Sequence, residues 1–214
     1  MELGEHGHGK DSAGVAASVG LKDKGHWHAE WKLEKRDGDI DGYVEERLPL
    51  WARSPIRVLL PGRAKELDTE LRNAFRAEVT PFETLEWEGN LLMNCGIIEM
   101  LELLMGAAGT VYSNANAYLA AGDSNAAAAA TQTDLQAAVN KTYKAMNGGF
   151  PSIAAQTITF QSDFAIGVAQ YAWEEAATFN GNTPPGDEML NRVVQSLGTK
   201  GAAVWTLSMA ITIS

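Results

Sequence analysis

The segment 205–214 constrains the fold more than any other part of the chain, because large apolar residues alternate there with small or polar ones. The apolar positions are Trp205, Leu207, Met209, Ile211 and Ile213. Successive side chains of a β-strand point to opposite faces, so this pattern predicts a strand that buries one face. Burying five such side chains is worth roughly 8–15 kcal/mol gross. We therefore expect this segment to lie in the core.

Other segments show the same two-residue period or a short apolar run typical of strands. They are residues 26–34, 82–87, 118–121, 157–166, 171–179 and 189–197. Several half-buried strands require a second sheet or a covering layer. The 21 glycines also favour a structure rich in turns. The sequence therefore predicts a mainly β chain of the α+β kind, built as an antiparallel β-sandwich.

Three segments predict helices. Residues 64–79 carry apolar side chains four apart, which indicates an amphipathic helix. A second helix is expected from an N-cap at Asn90 to Met105, ended by Gly106. Because this helix is apolar nearly all round, we expect it to be buried centrally. A third, short helix is expected over 133–146.

The chain divides into an arm and one domain. Residues 1–25 are rich in Gly, Ala, Ser and small charges without periodicity, which predicts an arm that is flexible or ordered by a partner. Residues 26–214 form the single β-rich domain. Within it, residues 43–80 make a proline-rich excursion that ends in the short helix, with at most short pieces of strand in its first part.

Charge and cysteine content exclude several classes of function. The formal net charge of −10 repels nucleic acid and anionic lipid, so neither is an expected partner. The most apolar stretch, 91–105, contains Glu99 and Glu102 and is too short to span a bilayer. Cys95 is the sole cysteine, so no intrachain disulfide forms, and its apolar neighbours predict a buried rather than a reactive thiol.

The histidines form two His-x-His pairs. These are His6 with His8 in the arm, and His26 with His28 in the first predicted strand. Residues two apart on a strand share a face, so His26 and His28 could chelate a metal together. Two imidazoles are too few without a third ligand, and we predict no metal site. The histidines are expected to be exposed or to lie at an interface.

The carboxylates and tryptophans of the C-terminal half do not predict a catalytic site. Glu174 and Glu175 are adjacent, so they point to opposite faces of a strand and cannot act as an acid/base pair. Glu175 is expected on the face of Trp173, paired with Arg192 or Lys200. Neither a nucleophile elbow nor a P-loop nor a dinucleotide fingerprint occurs in the sequence.

Trp173 and Trp205 occupy alternating positions typical of a core, so we do not expect them to stack on sugars. We therefore predict no catalytic, cofactor-binding or metal-ligating residues and no enzymatic activity.

An ordered series of segments over about 85–214 resembles a group of tailed-phage virion proteins of the head-decoration and minor-tail types. It is similar, more loosely, to the N-terminal attachment module of tail-collar fibres. The segments are Gly89–Gly96, Asn116–Ser124, Thr133–Leu135, Phe150–Pro151, Thr157–Phe160, Tyr171–Glu175, Met189–Arg192, Leu197–Lys200 and Trp205–Leu207. Residues 1–84 lie outside the resemblance.

This resemblance implies a structural component of a tailed-phage virion, made in the cytoplasm of a bacterial host. Capsid decoration and a tail, collar or baseplate position both remain open. The implied partners are other copies of the chain, as trimers or as a lattice, and neighbouring capsid or tail proteins. No catalytic residues are implied. The alternative is a β-sandwich module that binds glycans or a host surface.

Overall fold

The computed structural model describes residues 27–54, 58–89 and 91–214. The predicted arm, with His6 and His8, lies outside the described residues, as do His26 and Asn90. The strands are β1 (Trp27–Arg36), β2 (Glu83–Glu88), β3 (Leu91–Leu92), β4 (Tyr118–Gly122), β5 (Lys141–Ala145), β6 (Ser152–Ala154), β7 (Thr157–Phe164), β8 (Ala172–Phe179), β9 (Met189–Thr199) and β10 (Val204–Ile213). The helices are α1 (Ile40–Arg47), α2 (Leu50–Arg53), α3 (Pro61–Glu78) and α4 (Asn94–Met105).

The strands form two five-stranded sheets, and the antiparallel β-sandwich is confirmed. Sheet A has the order β2-β1-β10-β7-β6, and sheet B has the order β3-β9-β8-β4-β5. All pairings are antiparallel. The strand expected at 82–87 pairs with β1, where Trp87 lies opposite Trp31. β10 lies in the middle of sheet A, between β1 and β7.

The main core fills the space between the sheets. On β10, the four apolar residues from Trp205 to Ile211 are buried, whereas Ile213 is exposed at the strand end. Trp173 of β8 packs edge-to-face on Phe164 at 4.6 Å and on Trp205 at 4.9 Å between ring centroids. The prediction that these tryptophans belong to the core is confirmed.

An irregularity in the pairing of β8 with β9 changes the faces predicted for β8. The pairing with β9 shifts between Trp173 and Glu175. Trp173 therefore faces the main core, while Ala177 and Phe179 join a second apolar cluster on the other side of sheet B. The expectation that Glu175 shares the face of Trp173 is wrong, because the regular alternation of β8 is interrupted at this point, where β8 advances two residues and β9 advances four between successive pairs.

Helices occupy most of the proline-rich excursion. The expectation of at most short strand pieces is wrong, since α1 and α2 lie there. The Asp39 carboxylate caps α1 by accepting a hydrogen bond from the Asp41 amide at 3.0 Å. The helix predicted at 64–79 is confirmed as α3. Its residue Phe75 packs with Val204 on the outer face of sheet A.

The helix expected at 133–146 does not form. Its C-terminal part is β5, and its N-terminal part is a loop with no helical hydrogen bonding. Asp134 explains the difference, because its carboxylate binds the Leu135 amide, the Lys141 ammonium and the Tyr143 hydroxyl. A side chain that satisfies nearby donors in this way competes with helix formation.

The apolar helix lies at the surface. α4 ends at Met105, and the φ of 68° at Gly106 confirms the predicted left-handed C-cap. The predicted start after Asn90 is wrong, because residues 91–92 pair with β9 as β3 and the helix begins at Asn94. The expectation of central burial is wrong: one side of α4 packs on β9, and the other side is exposed.

Candidate assembly surface

Two features hold the inner side of α4 against sheet B. The first is Gly96, which lets the helix approach the backbone of β9. A Cβ at this position would lie 2.6 Å from the Leu190 Cα and 2.7 Å from the Met189 carbonyl oxygen. Only glycine permits so close an approach without displacing the helix. The axis of α4 is therefore fixed by backbone packing rather than by a row of large apolar side chains.

The second feature is a buried carboxylate, Glu99, three residues further along the same side. Its Oε1 accepts hydrogen bonds from the Asn180 side-chain amide at 3.0 Å and from the Thr110 backbone amide. Asn180 in turn accepts from the Glu188 amide at 2.6 Å. A buried charge persists only when it is hydrogen-bonded in this way. This network ties α4 to the loops before β4 and before β9.

The outer side of α4 is an apolar stripe, which we call the α4 face. It consists of Ile97, Ile98, Leu101, Leu104 and Met105, extended by Val111 of the following loop. Leu104 is 83% exposed and Met105 is 75% exposed. The spacings of three and four residues place these side chains on one side of a helix.

The polarity of α4 is thus reversed with respect to an ordinary surface helix. A surface helix normally buries its apolar stripe and shows water its polar side. Here Glu99 is buried and the apolar stripe faces outward. Exposed apolar patches of this kind mark surfaces that another molecule covers. Sequence reasoning missed the face because it took the apolar content of the helix as a sign of burial. The Gly96/Glu99 pair, three residues apart, was the available signal for which side packs inward.

The Cys95 thiol of α4 and the nearby Tyr112 hydroxyl are not activated as nucleophiles. Burial raises the pKa of the Cys95 thiol, the neighbouring Glu188 carboxylate adds to the rise, and the thiol donates to the Met189 carbonyl at 3.3 Å. Burial likewise raises the pKa of Tyr112. Raised values keep both groups protonated at neutral pH, which makes them poor nucleophiles or bases.

The two adjacent glutamates of β8 have separate environments. Glu175 is fully buried and pairs with Arg192, whose Nε lies 2.6 Å from Oε2, so this predicted partner is confirmed. Lys200, the other candidate, instead donates to the Ala165 and Ala203 carbonyls. Glu174 accepts from the Ser196 hydroxyl at 3.1 Å near the surface. The two carboxylates do not converge.

Glu175 also organises the loop between β4 and β5. Its carboxylate accepts from the Gln136 and Ala137 amides at 3.0 and 2.8 Å. The Arg192 guanidinium also donates hydrogen bonds to the Gln132 side-chain oxygen at 3.0 Å and to the Ala126 carbonyl at 2.9 Å. The ion pair therefore holds this alanine-rich loop on the outer side of sheet B, which is a structural role.

His28 lies on β1, on the outer face of sheet A. Its Nε2 is 3.2 Å from the Glu30 carboxylate and 4.0 Å from that of Glu88. Its predicted companion, His26, is outside the described residues.

Within the described ranges, no helix has the length and hydropathy needed to cross a membrane. Comparisons of the chain with models of protein families, with curated proteins and with solved structures give no match.

Proposed function

We propose that this chain is a structural component of a tailed-phage particle that assembles through the α4 face and performs no catalysis. The capsid-decoration and the tail, collar or baseplate positions are both compatible with this role. The reversed polarity of α4 carries the proposal. The resemblance of residues 85–214 to virion proteins names the class, and the rigid β-sandwich provides a suitable scaffold.

The occupant that we propose for the α4 face is a second copy of the chain. The exposed parts of its six side chains add up to about three and a half whole apolar side chains. Burying them on two copies is worth roughly 10–20 kcal/mol gross. Association itself costs about 4–15 kcal/mol. The gain exceeds this cost over most of the two ranges, and repetition of the contact on a particle adds avidity.

Charge also favours contact between copies at this position. A net charge of −10 makes most of the surface of one copy repel another. The α4 helix carries only two charged residues, the buried Glu99 and the half-buried Glu102. Apolar contact is therefore least opposed at the α4 face. Closed symmetry is the usual outcome for identical copies. The trimer is the closed form that we expect from the resemblance to virion proteins.

Light scattering after size exclusion tests the assembly. The wild-type protein should have about three times the 23.0 kDa mass of one chain. Leu104→Glu should weaken association at least tenfold, because it would bury a carboxylate in an apolar contact. Val139→Glu is the matched control, since Val139 is equally exposed, at 83%, and lies outside the α4 face, on the loop just before β5. A monomeric wild type, or equal association of both variants, would contradict self-assembly through this face.

Purified phage particles test the biological role. Cryo-electron microscopy should place the protein at one symmetric location on the head or the tail. Peptide mass spectrometry of the same particles should detect it at a fixed ratio to the major capsid protein. Absence from purified particles would overturn the virion assignment, whatever the oligomeric state in solution.

A further inference from the structure

Three potential metal ligands lie together on the outer face of sheet A. His28 and Glu30 are two residues apart on β1, and Trp27, Ala29 and Trp31 alternate with them toward the core. Glu88 of β2 lies directly opposite Glu30 in the strand register. One ligand atom from each of His28, Glu30 and Glu88 lies within 4.8 Å of the other two.

The charge around this cluster is unbalanced. Like charges that face each other across two strands destabilise the pair, and Glu30 faces Glu88 in this way. Among the described residues, no lysine or arginine nitrogen lies within 4.0 Å of either carboxylate. Lys32, the next residue on this face of β1, contacts Glu34 at 3.1 Å and Glu86 at 3.7 Å instead. A cation between the two glutamates would remove the repulsion.

The donor set matches a first-row transition metal. One imidazole nitrogen and two carboxylate oxygens are ligands that Zn²⁺ accepts at about 2.0–2.2 Å. Tetrahedral ligands at these bond lengths are separated from each other by about 3.4 Å. The observed separations of 3.2 and 4.0 Å from the His28 Nε2 bracket that value. The side chains are partly or largely exposed, so small rotations bring them to the required geometry.

We propose that His28, Glu30 and Glu88 bind a divalent transition-metal ion, with Zn²⁺ as the test ion. The ion links β1 to β2, which is the edge strand of sheet A. It leaves one coordination position open to the solvent. From the sequence, His26 and His28 were the candidate ligands and a third one was missing. In the proposed site, Glu30 and Glu88 supply the two ligands that accompany His28. The site lies on sheet A and the α4 face lies on sheet B, so each proposal stands or falls alone.

Titration calorimetry with ZnCl₂ on full-length, tag-free and chelator-treated protein tests the site. The wild type should bind one Zn²⁺ per chain at this site. His28→Ala and Glu88→Gln should each weaken that binding at least tenfold. Glu86→Gln is the matched control, because Glu86 is an exposed outer-face residue two positions before Glu88 on the same strand. This variant should bind Zn²⁺ as tightly as the wild type does.

A second variant separates this site from the arm. His6→Ala/His8→Ala should keep the zinc-binding event that His28→Ala loses. Zinc should also raise the melting temperature of the wild type at pH 7.5 and leave that of His28→Ala unchanged. The proposal is overturned if the wild type shows no zinc binding with a dissociation constant below about 100 μM, which is the tight limit for weak extracellular calcium modules. It is equally overturned if binding depends on His6 and His8 but not on His28.

Discussion

Arg192→Leu should be one of the most destabilising single substitutions in the chain. Arg192 and Glu175 are both fully buried, and Arg192 is the cationic partner of that carboxylate among the described residues. Removing it would leave the carboxylate with two backbone amides as donors, those of Gln136 and Ala137. Breaking a buried pair in this way costs about 3–5 kcal/mol. For a chain of this length, that loss lowers the melting temperature by roughly 6–20 °C.

Urea unfolding followed by tryptophan fluorescence measures this loss. The double variant Glu175→Leu/Arg192→Leu should cost less than the sum of the two single variants, because it removes both charges together; a coupling of about 1–3 kcal/mol is expected. Arg63→Leu, which removes an exposed guanidinium 3.4 Å from Glu66, should stay within about 0.5 kcal/mol of the wild type. An Arg192→Leu loss below about 1 kcal/mol, or strict additivity in the cycle, would refute the reasoning.

Two further predictions use the same unfolding assay. Gly96→Ala should destabilise the fold by about 1–3 kcal/mol, because the new methyl would lie 2.6 Å from the Leu190 Cα. The control is Gly62→Ala in α3, where no atom lies within 4 Å of the added methyl. An equal effect of the two substitutions would contradict the packing argument. Burial lowers the pKa of Lys200 to about 8 from the ordinary 10.5. The folded state is therefore destabilised below pH 8, where it must bury a charged ammonium, and its stability rises between pH 8 and 10.5 as the folded form loses this proton before the unfolded form does. The stability of the wild type relative to Lys200→Met should therefore rise by up to about 3 kcal/mol between pH 8 and 10.5, and a flat difference would contradict it.

The sequence predicted the sandwich because strand alternation is a local property. Each of the large apolar residues of β10 from Trp205 to Ile211 lies on the face that its position in the alternation indicates. The strand predicted at 82–87 is present as β2. Such a pattern depends only on the residues of the strand itself, so it can be read from the local sequence.

The errors came where a distant residue decides the local structure. The irregularity between Trp173 and Glu175 depends on their pairing with Gly198 and Val194 of β9, which comes later in the chain. The helix predicted over 133–146 also fails for a distant reason. Besides the local contacts of Asp134, the Gln136 and Ala137 amides donate to Glu175, whose position could not be read from the local sequence. Tertiary contacts override local preference at such points.

The candidate surfaces were the least predictable part. An apolar helix can be buried by its own chain or by another copy, and periodicity does not separate these cases. The clue at α4 was the small and acidic pair on its inner side, Gly96 and Glu99. At β1, His28 was identified as a potential ligand, but the facing Glu88 becomes visible only once the register of β2 is known.

The position of β10 determines the order in which the chain can fold. β10 supplies the hydrogen-bonding partners of both β1 and β7, so neither strand completes its ladder until residues 204–213 have been synthesised. β1, the first described strand, therefore cannot pair with β10 until the last strand has been synthesised, since Trp27 pairs opposite Ile213. Contacts so far apart in sequence fold slowly and leave strand edges open meanwhile. During translation, sheet A therefore stays open at its centre, and the sandwich closes only after β10 has left the ribosome.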